Sequence, residues 1–216
     1  MKMLCFKDLI KKFPSVWPYY WNNKFSKANI YYLYDSRKTD KTLVNNILKI
    51  DFAELKKVGQ TLWHENNDEA ALRCFRHVYN SLTYKSDKAS HLSLEYWQAP
   101  IETFTTSQGD CEDGALLLMK LMQYAGIPAW RRKLCCGYVE ANSLKEGHAY
   151  VIYLADDFNW YCMDWCFFPL SSLSAFKKTP HQNRKEYKDV WFTFNEEIIW
   201  SEHNYNKLLK KFVEGE

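Results

Sequence analysis

Three side chains in this 216-residue chain could together break an amide bond: Cys111, His148 and Asp164. A sulfur attacks a carbonyl as its thiolate, an imidazole can take the thiol proton and return it to the leaving group, and a carboxylate can fix the imidazole's tautomer. Cys111 stands in SQGDCEDGALLLMK, fenced by Asp110, Glu112 and Asp113 at the mouth of a strongly apolar run. Gly109-Asp110 before that run predicts Cys111 on the first turn of a helix, where the positive end of the dipole favours a thiolate. HAYVIYL and WYCMDWC, joined by ADDFN, read as a hairpin. Folding about Asp156 and Asp157 pairs residues whose numbers sum to about 312 to 314, which sets His148 opposite Asp164 or its near neighbour on an antiparallel pair. Asp164 is the only charge in WYCMDWCFFP, and a carboxylate buried there needs a partner.

Other chemistries are less well served. Cys135-Cys136 and Cys162-x3-Cys166, with His148, could be assembled into a zinc site, but adjacent cysteines on a strand point to opposite faces and paired knuckle spacing is missing. Cys162, Asp164 and Cys166 fall on one strand face by alternation, which a sheet packed on the Cys111 helix explains more simply. His64, His77, His91, His181 and His203 have no ligand spacing.

The elements that must position these groups are readable. Residues 41–58 and 68–82 carry apolar residues at helical spacing, the second segment opened by Asp68 as an N-cap. Residues 110–125 form a helix that is apolar on nearly all sides from Ala115 to Met122, so it should lie in the middle of the fold. It should stop at AGIPA, with Gly126 in the left-handed position after the cap and Pro128 unable to continue. Beyond it come short β-like runs, KLCCGYVE, HAYVIYL, WYCMDWCFF and VWFTFNEEIIW. Helices first and strands afterwards indicate an α+β fold with an antiparallel sheet.

Composition sets the outer bounds. With 47% hydrophobic residues and only seven Gly and six Pro, the chain should bury a core as one unit, without linkers or repeats. No stretch approaches the roughly 20 apolar residues of a membrane span, and the start breaks with charge before any export signal develops. Seven cysteines, odd in number and scattered, suggest reduced thiols and a cytoplasmic location. Residues 1–50 hold ten Lys or Arg against three Asp, interleaved with VWPYYW and IYYLY. They are expected as a basic aromatic arm before a domain at 51–216. Such an arm could meet an acidic partner or single-stranded nucleic acid, or pack on the body. A non-catalytic interaction module that uses this arm is the alternative to an enzyme.

GDCEDGA, the helix ending AGIPA, the strand ending CGYV, then GHAYV and the Asp on the next strand resemble the transglutaminase-like superfamily, of papain-like fold. The resemblance covers roughly residues 65–170 and implies Cys111 as nucleophile, His148 as base and Asp164 as orienter. YWQAPIET followed by GDCED is most similar to the bacterial transglutaminase-like cysteine proteinases, calcium-dependent peptidases that usually carry an aromatic after CED where Gly114 stands here. The implied chemistry is acyl transfer at an amide of a protein or peptide, by hydrolysis or to an amine. No cofactor is required beyond the Ca²⁺ that the resemblance suggests. Two accounts of the carboxylates stay open: Asp110 caps the helix with Asp113 closing the box and Glu112 complementing the dipole, or all three ligate Ca²⁺. The Cys111 amide is the natural first oxyanion donor, and spacing does not choose among Gln98, Trp97 and Gln108 for the second.

Overall fold

The computed structural model describes residues 25–32, 42–90, 96–141, 144–167 and 179–202. Its centre is the helix that begins at the cysteine, α5 (Cys111–Tyr124). Every side chain from Ala115 to Met122 is at most 2% exposed, as the all-round apolar pattern requires. Lys120 fits because its stem lies in the core while Nζ donates to the Leu48 carbonyl and to Gln123 Oε1, both at 2.9 Å. Each buried Leu or Met on this helix contributes about 1.5–3 kcal/mol by leaving water.

Helices α1 (Ala53–Thr61), α2 (Asn67–Ser81) and α4 (Pro100–Thr106) pack on one side of α5, while strands β6 (Arg132–Ala141) and β7 (Leu144–Leu154) pack on another. A one-turn helix, α3 (Asp87–Ser90), precedes α4. The sheet is six-stranded and antiparallel throughout, in the order β1-β10-β9-β6-β7-β8. Its other members are β1 (Phe25–Lys27), β8 (Trp160–Met163), β9 (Tyr187–Phe194) and β10 (Ile199–Glu202). Two small ladders accompany it: β2 (Tyr31–Tyr32) with β3 (Thr42–Leu43), and β4 (Thr83–Tyr84) parallel to β5 (Gln108–Gly109). The molecule is an α+β fold of the papain type, with the Cys-bearing helix on an antiparallel sheet.

Local departures from the sequence reading have local causes. The apolar segment at 41–58 is broken into a 3-10 turn at Val44–Leu48 and then α1, because Phe52 is extended and gives its N–H to the Tyr124 hydroxyl at 2.7 Å. The N-cap of α2 is Asn66, whose side chain accepts from the Glu69 amide at 3.0 Å. Asp68 is instead buried and accepts from the Tyr153 hydroxyl and the Asp156 amide, docking α2 on the β7–β8 turn. VWFTFNEEIIW is two strands, divided where Asn195 Oδ1 accepts from the amides of Glu197 and Ile198 at 2.9 Å. Gly126 does take the left-handed conformation, with φ of 81°, and α5 ends there.

The described part of residues 1–50 is built into the body. Phe25–Lys27 pairs with β10, and Val44, Ile47 and Leu48 join the main core at 3% exposure or less. Most of the expected basic aromatic arm, at 1–24 and 33–41, lies outside the described residues, as do His91 and His203. Among the described residues no helix is long and apolar enough to cross a membrane.

Candidate active site

Cys111 opens α5, where its amide is one of the donors that a helix start leaves without an intrahelical acceptor. Asp113, two residues on, organises this end. Its carboxylate is fully buried and accepts from the Gln98 amide at 2.8 Å, from Gln98 Nε2 at 2.7 Å and from the Asp110 amide at 3.2 Å. The expected Asp110–Asp113 relation is therefore present as the Asp113 half of a capping box. Burial, with the charge of Asp110 next, pushes the Asp113 carboxyl up to about 8. Asp110 is also raised by burial, and its Oδ1 is buried without a hydrogen bond.

A third carboxylate joins them. One oxygen from each of Asp87, Asp110 and Asp113 lies within 4.8 Å of the other two. Three buried acids crowded this way fit a hard divalent cation, which takes carboxylate oxygens and offsets their mutual repulsion. Asp87 also accepts from the Tyr96 amide. It stands in TYKSDKASH, which reads as a polar connection and carries no signal of a buried ligand.

Glu112 faces the sulfur. The Cys111 thiol donates to Glu112 Oε2 at 3.0 Å, and no bond joins it to His148. Burial pushes the Cys111 thiol well up, and the charges of Glu112 and Asp110 push it further. In this arrangement Cys111 rests as a thiol.

His148 and Asp164 do meet. His148 Nε2 donates to Asp164 Oδ2 at 2.7 Å, with both side chains 1% exposed. The β7–β8 register sums to 314, as in Val151 with Met163, which is the upper end of the expected range. The ladder stops at Met163, and Asp164 turns out of the strand just past it. Asp164 also accepts from the Tyr187 hydroxyl at 2.8 Å and from the amides of Cys166 and Phe167 at 3.1 Å. Burial acts to raise its carboxyl, but the His148 bond and charge, together with these donors, hold it below the usual value. It is an ionised acceptor that fixes one imidazole nitrogen and leaves Nδ1 for a thiol. Tyr187 was not singled out in the sequence; the only hint was that a buried carboxylate needs more than one donor.

The segment 164–167 links the two halves. Trp165 Nε1 donates to the Cys111 carbonyl at 3.4 Å, and its ring lies against Gly114, where a Cβ would come within 2.2 Å of Nε1. Gly114, which departs from the aromatic usual in the resembling proteinases, thus admits the Trp165 indole from just beyond β8. Cys166 Sγ, a His148 ring nitrogen and an Asp164 oxygen lie within 4.8 Å of one another, and the Phe167 ring meets His148 edge-on at 4.8 Å. Of the oxyanion candidates, Gln98 is buried beside the helix start, Trp97 packs in the core against Phe194, and Gln108 is exposed on β5. Cys135 and Cys136 fall in separate clusters on opposite sheet faces, so the four cysteines do not converge on zinc.

A helix that starts at a cysteine lies on an antiparallel sheet beside a buried His-Asp pair, and residues 56–165, just over half the chain, match the transglutaminase-like superfamily domain. The chain belongs to the transglutaminase-like superfamily. Among solved structures it resembles Legionella pneumophila LapG at 17% identity and a TM-score of 0.53, covering 79% of this chain and 92% of that one. An EGTA-treated form of LapG aligns at 17% identity and a TM-score of 0.52, over 73% of this chain and 82% of that one. A search of curated proteins by sequence found no match. At such identities the likeness of this transglutaminase-like chain to LapG is one of fold.

Proposed function

We propose that this protein is a cysteine peptidase or amidase that uses Cys111, His148 and Asp164. The observation that carries the reading is the fully buried His148–Asp164 pair, oriented by three further donors beside a helix that starts at a cysteine. His148 Nδ1 accepts the Cys111 proton and the thiolate attacks the carbonyl carbon. The oxyanion takes a bond from the Cys111 amide, with Gln98 as the second donor held ready by Asp113. His148 then gives the proton to the departing amine, a thioester remains on Sγ, and water activated by His148 releases the acid and restores the thiol. Asp164 stays ionised throughout and holds the imidazole in one tautomer.

Asp87, Asp110 and Asp113 are the residues that would hold Ca²⁺. When bound, the cation supplies positive charge that offsets the carboxylates raising the thiol. The Cys111 S–H must turn from Glu112 to His148 before its proton can transfer, so substrate binding has to favour breaking the bond to Glu112. Hydrolysis is favoured over transfer to an amine as the simpler outcome, with water as acceptor.

The test is iodoacetamide at neutral pH with millimolar Ca²⁺. Cys111 should label faster than the other six thiols, and His148→Ala should slow it by about a hundredfold, the low end of what a general base contributes. Labelling of Cys111 no faster than the rest, and indifferent to His148→Ala, would remove the catalytic reading.

A further inference from the structure

Beside the site, a cavity of about 480 Å³ is lined by Tyr79, Leu82, Tyr84, Glu146, Trp165 and Phe167, together with Cys166. Five large hydrophobic side chains stand exposed among the described residues, and three of them, Tyr79, Tyr84 and Phe167, are gathered on this one cavity. Scattered exposed apolar residues need no explanation, but a cluster rimming a concavity marks a binding surface. The cavity is also continuous with the reactive centre. Trp165 forms part of its wall while bonding the Cys111 carbonyl, and Phe167 does so while contacting the His148 ring. Tyr84 stands over Trp165 with ring centroids 6.0 Å apart. A side chain lying in this cavity therefore belongs to a residue next to the bond presented to Cys111.

Its chemistry follows from the walls. Aromatic faces accept an aromatic or large aliphatic group, and the volume falls in the range of small-ligand pockets, enough for a ring with adjoining backbone. Glu146, exposed on β7, is the one charged group in the described lining. A basic residue beside the ring is thus the complementary neighbour. Resting on the peptidase reading above, we infer that the acyl donor is a peptide segment with a bulky aromatic residue flanked by Arg or Lys, the ring held by Tyr84, Trp165 and Phe167 and the cation by Glu146.

Binding to Cys111→Ser protein tests this without requiring turnover. Capped pentapeptides with the central sequence Arg-Phe or Phe-Arg among glycines are compared by calorimetry, at low and moderate salt, with partners carrying Ala for Phe or Glu for Arg. The aromatic peptide should bind about tenfold or more tightly than its Ala partner, as burial of a ring implies. Tyr84→Ala should reduce that ratio to near one. Glu146→Lys, at an exposed position where folding is not at stake, should reverse the preference for Arg over Glu. Phe and Ala peptides of equal affinity, or preferences unchanged in both variants, overturn the inference. The two readings can fail separately: discrimination by Cys111→Ser protein with no cleavage by wild type leaves the groove and removes the peptidase, whereas cleavage at equal kcat/KM with Phe or Ala does the reverse.

Discussion

Chelation should move the pH of greatest stability downward, and Asp113 supplies the size of the effect. Its carboxyl is 0% exposed and sits at about 8 in the folded protein, against about 3.9 in an unfolded chain. Between those values the folded state keeps a proton that the unfolded state has released, so stability falls as pH rises, by about 1.4 kcal/mol per pH unit. Over the whole window this one group costs about 6 kcal/mol, or about 12–24 °C of Tm for a chain of this size. Asp164 works in the opposite sense: its folded value is depressed, so its contribution is present above about 3.9 and is lost only as pH falls through that lower value. The two effects occupy different windows. Thermal melts in EGTA at constant ionic strength should therefore give a lower Tm at pH 8 than at pH 5. Millimolar Ca²⁺ should raise Tm at pH 8 by more than at pH 5, because only the ionised cluster holds it well. Asp113→Asn should flatten the chelated profile. A chelated protein equally stable at both pH values, or a Ca²⁺ effect independent of pH, would refute the account of the carboxylate cluster.

Other perturbations are read more simply. Tyr187→Phe removes one of the donors on Asp164 and should cost about 1.5–3 kcal/mol by denaturant melt, the worth of a hydrogen bond to a charged group; its iodoacetamide labelling of Cys111 should also slow, since His148 loses part of what holds its partner. Gly114→Ala puts a methyl 2.2 Å from Trp165 Nε1, so the indole must move. About 1–3 kcal/mol of stability should go with it, together with a change in near-ultraviolet circular dichroism. Glu196→Ala leaves the buried guanidinium of Arg132, which Glu196 holds through two nitrogens, without its counter-charge and should lower stability by about 3–5 kcal/mol.

What could be read from the residues was what short-range chemistry governs. The helix at 111–124 followed from its apolar run and from Gly126, and the His148–Asp164 approach followed from counting about a five-residue turn, because antiparallel register is fixed by the turn between the strands. The zinc alternative failed for the reason alternation gives. Asp87 and Tyr187 were not legible: each reaches the site from another element, Asp87 from 23 residues before Asp110 and Tyr187 across the sheet to Asp164, 23 residues apart. Nothing in KSDKAS distinguishes an acid that will be buried from one that will be solvated. The direction of Glu112 was equally hidden, since a helix start offers its side chain both amides and the neighbouring sulfur. The aromatic wall is not legible in the sequence because Tyr79, Tyr84, Trp165 and Phe167 come from three separate segments and meet only after α2 docks on the hairpin.

The small parallel ladder at Thr83–Tyr84 and Gln108–Gly109 has a mechanical consequence. Its backbone bonds, from the Thr83 amide to Ser107 and from the Lys85 amide to Gly109, at 3.0 and 2.9 Å, fasten the residue bearing one wall of the groove to the residues just ahead of Asp110 and Cys111. A ligand that leans on Tyr84 thereby loads the same strip of chain that seats the sulfur. Groove wall and Cys111 are tied to the same short strip of backbone. Substitutions at Tyr84 should then be non-additive in stability with substitutions at Asp110 and Cys111.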